Sequence, residues 1–187
     1  MRIISGNLKG KKILDPLDKS TRPLKDMVRE SIFNIIEHSK NESVVIKNAN
    51  VLDIFAGTGS FGIECLSRGA KHVIFFENYK DSIKILKKNI DLLILNEKIK
   101  IIEEDSYNLD KAGLGLKKFD LIFLDPPFKD TKINDLIEII SRSKITSKKT
   151  LVIIHRNKKV KEEISNKFTI LREKTYGLSR IIFGKIN

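Results

Sequence analysis

Val51-Leu52-Asp53-Ile54-Phe55-Ala56-Gly57-Thr58-Gly59-Ser60-Phe61-Gly62 reads as a buried strand, a glycine turn and the start of a helix. Outward from it, short apolar runs alternate with helical spacing. His72-Val73-Ile74-Phe75-Phe76 is a second strand, and Tyr79, Ile83, Leu86, Ile90 and Leu93 mark a helix. Lys100-Ile101-Ile102 and Phe119-Asp120-Leu121-Ile122-Phe123-Leu124 are strands three and four. Ile133, Leu136, Ile137 and Ile140 mark another helix, Leu151 to Ile154 a fifth strand, and Phe168 to Leu171 and Arg180 to Phe183 two closing strands around a turn at Tyr176-Gly177. This alternation predicts an α/β fold with a doubly wound, mixed but mostly parallel, seven-stranded sheet.

Upstream the pattern differs. Arg2 to Leu14 reads as a short hairpin turning at Gly6…Gly10, residues 15–22 as a polar connector, and Leu24, Val28, Ile32 and Ile35 as one face of a helix. Polarity rises again near Asn41 to Asn50. The division expected is a small hairpin-and-helix extension over residues 1–45 and a main domain over residues 46–187.

In a doubly wound sheet, ligands bind beyond the carboxyl ends of the strands. Gly57 and Gly59 permit a tight turn on which a ligand can lie against backbone. Glu77 stands twenty residues after Gly57, at the end of the second strand, where a carboxylate can accept both hydroxyls of a ribose. Gly57, Gly59 and Gly62 also spell G-x-G-x-x-G, a pattern shared by NAD and S-adenosylmethionine sites, and glycines at such a turn can serve packing alone. Two acids favour the methyl donor. Asp53, before the turn, suits a cationic amino-acid ligand better than a pyrophosphate, and Asp105, after the third strand, is placed to reach an adenine amine.

Asp125-Pro126-Pro127-Phe128 directly follows the fourth strand. Two prolines remove two backbone donors and leave carbonyl groups to accept. That suits an exocyclic NH₂, whose lone pair is delocalised into its ring. With Asp125 accepting one N–H and the Pro126 carbonyl the other, the nitrogen is drawn toward tetrahedral geometry and its lone pair can face a sulfonium methyl. Phe128 would stack on the base. The rate gain would come from positioning first and polarisation second. A rigid turn with an aspartate cap is the plain alternative.

The net charge of +12 is uneven: residues 1–50 contribute +4, residues 151–187 contribute +6, and the middle only +2. Basic ends suit a polyanion through counterion release, although the Lys-, Ile- and Asn-rich composition can produce such a bias without function. A single cysteine, Cys65, excludes an internal disulfide and reads as a buried structural residue. His38, His72 and His155 have no metal-ligand spacing, and none is read as catalytic; no metal is expected. No apolar run approaches the roughly 18 residues of a membrane span, and no signal-peptide core is present, so a cytoplasmic protein is expected.

In these motifs the chain resembles the RsmD-type small-subunit rRNA guanine-N2 methyltransferases, over nearly its whole length. The opening Met1-Arg2-Ile3-Ile4-Ser5-Gly6-Asn7-Leu8-Lys9-Gly10-Lys11-Lys12-Ile13 is similar to that family's basic hairpin. Arg22-Pro23, Asp26, Val28-Arg29-Glu30 and Phe33-Asn34 resemble its helix signature, the most specific segment. Asp53 through Gly62, Glu77, Asn89 and Asp125 to Phe128 match its catalytic domain, with motifs shared by many amino-methyltransferases. The resemblance implies a Rossmann-like class I S-adenosylmethionine-dependent fold. It implies methylation of guanine N2 in 16S rRNA, within an assembled or nearly assembled small ribosomal subunit, by a monomer. It places the donor on Asp53, Ala56, Gly57, Thr58, Gly59, Glu77 and Asp105, the guanine on Asp125, Pro126, Pro127 and Phe128, and the RNA on Arg2, Lys9, Lys11, Lys12, Arg22 and Arg29. The chain departs from the family in having Leu24-Lys25 in place of small hydroxyl residues, and Lys11 where arginine is common; a lysine lacks the bidentate fork. The rivals are a DNA or other RNA amino-methyltransferase acting on adenine N6, an NAD-dependent oxidoreductase and a catalytically inert RNA binder. The first usually needs a separate recognition region for which no insertion leaves room. The second leaves the Asp-Pro-Pro-Phe turn without a role.

Overall fold

The computed structural model describes residues 1–16, 24–40, 44–114, 118–160 and 162–187. β1 (Asn50–Ile54) lies near the centre of a seven-stranded sheet, parallel to β2 (His72–Phe76) on one side and β4 (Leu121–Leu124) on the other. β3 (Ile99–Ile102) forms the edge beyond β2. Past β4 come β5 (Leu151–Asn157), β7 (Ser179–Ile186) and β6 (Phe168–Tyr176), giving the order β3-β2-β1-β4-β5-β7-β6. β7 alone runs against its neighbours. The chain order reverses between β1 and β4, the switch point where a doubly wound sheet opens a crevice.

Alternation along the strands builds two cores. Val51, Val73, Phe75, Phe123 and Ile153 face α2 (Ser60–Ser67), α3 (Lys80–Leu93) and α1 (Asp26–His38). Leu52, Ile54, Ile122, Leu124 and Ile154 face α4 (Ile133–Arg142). With helices over both faces, the inner parallel strands are buried almost throughout, which is why they read as continuous apolar runs. Among the described residues, no helix is long and apolar enough to cross a membrane.

The expected elements are present with shifted ends. β2 spans the expected residues, whereas β5 runs to Asn157 and β6 to Tyr176, because antiparallel pairing with β7 extends both ladders past their apolar centres. The N-terminal hairpin is present and short: around the antiparallel bridge of Arg2 with Lys12, the Ile3 N–H donates to the Lys11 carbonyl at 3.0 Å, the Ile13 N–H to that of Met1 at 3.1 Å and the Gly10 N–H to that of Ile3 at 2.9 Å. The backbone between its arms turns to α2. The N–H groups of Ile4 and Ser5 donate to the Glu64 carboxylate at 2.8 and 3.0 Å, and those of Asn7 and Leu8 to the carbonyl and hydroxyl of Ser67 at 2.8 and 3.0 Å. Ile3 and Ile13 join the same core as α1 and α2.

Arg29 corrects an expectation. It was expected on the RNA, but it is fully buried: α1 places it on the face of Val28, Ile32, Phe33 and Ile36, where only the aliphatic spacing was expected. Its Nη2 donates to the Arg2 carbonyl at 2.5 Å and to Asp26 at 2.9 Å. Burial draws the Arg29 guanidinium below its usual range, against the opposing charges of Asp26 and Glu64. Arg29 therefore ties the N-terminal segment to α1. Arg22 lies outside the described residues. Arg2, Lys9, Lys11 and Lys12 are exposed.

Candidate active site

At the switch point, β1 is followed by three residues of positive φ. Phe55 adopts φ +60°, a left-handed conformation uncommon for a bulky side chain, and Gly57 and Gly59 follow at +57° and +84°. The backbone thereby turns sharply from strand into α2 beneath a cavity of about 990 Å³. Ala56, Gly57, Thr58, Glu77 and Asp105 line one half, and Asp125, Pro126, Pro127 and Phe128 border the other. Nine of the expected donor and guanine residues are thus gathered around one space. Two are not on its wall. Asp53 is 1% exposed and accepts the Gly62 N–H at 2.9 Å, holding the first turn of α2 from behind. A Cβ on Gly59 would stand 2.4 Å from Leu86 Cδ1, so that glycine makes room for α3 rather than for a ligand.

The carboxylates of the donor half are committed to backbone. Glu77 accepts from the N–H groups of Gly57, Asn78 and Tyr79 at 2.7, 2.9 and 2.8 Å, stitching the glycine turn to the end of β2. Asp105 caps the turn after β3 by accepting from the Tyr107 N–H at 2.9 Å. Burial pushes the Asp53 carboxyl well above the ordinary carboxylate range; the Gly62 N–H opposes this, and the charges of Asp125 and Glu77 add to it. Fully buried Asn89, on α3, fastens the turn from below. Its amide donates to the Thr58 carbonyl at 3.0 Å, and its Oδ1 accepts from the Leu14 N–H at 2.7 Å.

The other half is assembled from distant segments. Leu24 and Lys25 approach from the start of α1, Asp125 to Phe128 from the end of β4, His155 from β5, and Tyr176, Leu178 and Ser179 from the β6–β7 turn. Pro127 closes its turn by accepting the Asp130 N–H at 2.8 Å. Tyr107 then bridges the halves, donating its hydroxyl to Asp130 at 2.8 Å while its ring packs edge-on against Phe55. Burial and the Asp130 carboxylate push the Tyr107 hydroxyl above its usual range, so it stays a donor.

His155, set aside in the sequence, stands at the site. Its Nδ1 lies 2.7 Å from Asp125 Oδ1 and its Nε2 lies 2.9 Å from Ser179 Oγ, with the Phe128 ring edge-on at 5.7 Å between centroids. A signal for it existed. β4 pairs with β5 in the register Leu124–Ile154, so one step further sets Asp125 beside His155.

The arrangement offers one cavity lined by the glycine turn, by Glu77, Asp105 and Asp125, and by the Pro126-Pro127-Phe128 turn. A family profile described as "Conserved hypothetical protein 95" matches residues 1–185. The chain belongs to this family. Within it, the RsmD-type resemblance is carried by two relatives. The chain is 33% identical over 187 residues to "Putative rRNA methyltransferase YlbH" of Bacillus subtilis, covering 99% of this chain and 98% of that one. It is 34% identical over 173 residues to "Ribosomal RNA small subunit methyltransferase D" of Buchnera aphidicola, covering 92% and 86%. The solved structure of a putative methylase from Haemophilus influenzae superposes with a TM-score of 0.78 at 32% identity, covering 100% of this chain and 98% of that one. The family member described here is thus a Rossmann-like methyltransferase in fold.

Proposed function

We propose that the chain methylates the exocyclic N2 amine of a guanine in 16S rRNA, with S-adenosylmethionine as donor. One observation carries the reading. Asp125 stands between a donor half built of backbone and acids and an acceptor half walled by Phe128, Tyr176 and Leu178, with one oxygen held by His155. The cavity volume is ample for a nucleoside-sized donor beside a base. Glu77, Asp105 and the turn at Ala56-Gly57-Thr58 would hold the donor, with Asp53 and Gly59 shaping the turn beneath. When bound, the donor supplies an electrophilic methyl on a positively charged sulfur.

The residues of the chain do the rest. Asp125 accepts one N–H of the amine and the Pro126 carbonyl the other, turning the nitrogen lone pair out of conjugation. Phe128 covers the base and excludes water. As the methyl passes to nitrogen its bond to sulfur would break, leaving a neutral thioether, and the amine would lose a proton, for which Asp125 is the nearest acceptor in this arrangement. Residues 1–45 act as the RNA-facing extension over the catalytic residues 46–187, with Arg2, Lys9, Lys11 and Lys12 meeting phosphate as point charges. The small subunit of a ribosome presents such a substrate already folded, in the cytoplasm, and a compact chain suits it.

Incubation of unmodified small subunits, naked rRNA and duplex DNA with radiolabelled donor, followed by digestion to nucleosides, tests this. The expected label is N2-methylguanosine from small subunits. Label in N6-methyladenosine, or in DNA, overturns the reading.

A further inference from the structure

The geometry points to His155 as the positioning residue that aims Asp125 at the amine, with Ser179 setting its tautomer. The inference rests on the reading of Asp125 just given and adds to it a residue outside the Asp-Pro-Pro-Phe turn.

A carboxylate on a turn can rotate about χ2, and both oxygens are then interchangeable acceptors. Here rotation is blocked. Asp125 Oδ1 lies 2.7 Å from His155 Nδ1, a contact that requires a proton on Nδ1 whenever the carboxylate is ionised. The imidazole is itself confined. It is 5% exposed, sits on β5 beside β4, and has Phe128 against its ring. With the imidazole neutral and its proton on Nδ1, Nε2 offers a lone pair, and the Ser179 hydroxyl at 2.9 Å is the group placed to donate to it. Each group thus has one role: Ser179 donates to Nε2, His155 donates from Nδ1 to Oδ1, and Oδ2 remains for the amine. A wrong tautomer would set two lone pairs face to face.

The same three groups in the same order form the hydrolytic triad of serine enzymes. What differs is which end meets the substrate. In a hydrolase the serine attacks and its removal is disabling. Here the carboxylate faces the substrate and the serine is the remote end, so its loss leaves most of the rate. His155 also cannot carry the released proton from Asp125 to Ser179, because its Nδ1 is already protonated. It orients.

The test compares four variants, each checked by thermal melting and by calorimetric donor binding. His155→Ala lowers kcat for methyl transfer by about 30-fold, the loss expected when a hydrogen bond to a charged group is deleted, with KM for the donor within about twofold. His155→Asn, whose amide can place an N–H near the Nδ1 position, recovers kcat to within about fivefold of the parent. Ser179→Ala costs about threefold, a single neutral hydrogen bond. Asp125→Ala serves as the reference for the underlying reading. In the unaltered enzyme, ¹⁵N shifts place the His155 proton on Nδ1. Full kcat in a folded His155→Ala, a proton found on Nε2, or disabling loss in Ser179→Ala overturns the inference. So does a folded His155→Asn as slow as His155→Ala. If Asp125→Ala retains activity, the reading of Asp125 itself has failed. If Asp125→Ala is inactive while His155→Ala keeps its rate, only the role of His155 has failed.

Discussion

The two halves of the cavity are built by opposite means. In the donor half, side chains serve the backbone: Glu77 accepts three N–H groups, from Gly57 after β1 and from Asn78 and Tyr79 beside it, Asp53 one from Gly62 on α2, and Asp105 one from Tyr107. In the acceptor half, side chains serve each other across long separations: Asp125 meets His155, and His155 meets Ser179. A backbone-built pocket suits a ligand common to many enzymes, because its shape depends little on any one side chain. A side-chain-built pocket can be retuned residue by residue, and it is where this chain carries Leu24-Lys25.

Substitutions on the two sides should therefore separate binding from transfer. The largest effect is expected from Asp125→Ala, which lowers the transfer rate by about 10³-fold, the scale of a positioned proton acceptor, while calorimetry finds donor affinity unchanged. A parallel loss of donor affinity would erase the distinction between the halves. Glu77→Ala is expected to do the reverse. Three backbone donors lose their acceptor, and donor affinity falls by about 100-fold with RNA affinity unaltered in a filter-binding titration. Phe128→Ala, which removes a face for the base, raises KM for RNA about tenfold and leaves donor affinity alone.

The smallest expected effect concerns stability. Burial holds the Asp53 carboxyl above its ordinary range, so the folded chain binds that proton more tightly than the unfolded one. The resulting stabilisation is complete below the ordinary carboxylate pKa and is lost as pH rises through the raised value. Asp53→Asn keeps an acceptor for Gly62 and cannot ionise. Its melting temperature should match the parent in acid and exceed it by a few degrees, about 1 kcal/mol in a chain of this size, at neutral pH. Scanning calorimetry from pH 4 to pH 8 would check it, and a constant offset would contradict the buried-charge account.

The donor half was legible in the sequence because its signal is local: a glycine turn between an apolar strand and a helix shows in consecutive residues, although Glu77 and Asn89 then fasten it from afar. The number of strands was equally legible, since the inner parallel strands bury both faces and read as apolar runs. Arg29 and His155 were not. A long cationic side chain on a helix is ordinarily solvated, and only the docking of Arg2 and Asp26 explains why this one is enclosed. His155 acquires meaning from strand register, which periodicity does not report. The hairpin was read correctly, but its docking was not, because the acceptors that claim the N–H groups of Ile4, Ser5, Asn7 and Leu8 lie on α2, at Glu64 and Ser67.

One buried amide joins the two ends of this design. Asn89 grips Leu14 of the basic arm and Thr58 of the glycine turn, so the two segments share one anchor. Binding at such mechanically connected places is thermodynamically reciprocal: whatever factor the nucleic acid adds to the affinity for the nucleoside ligand, the nucleoside ligand must return to the nucleic acid.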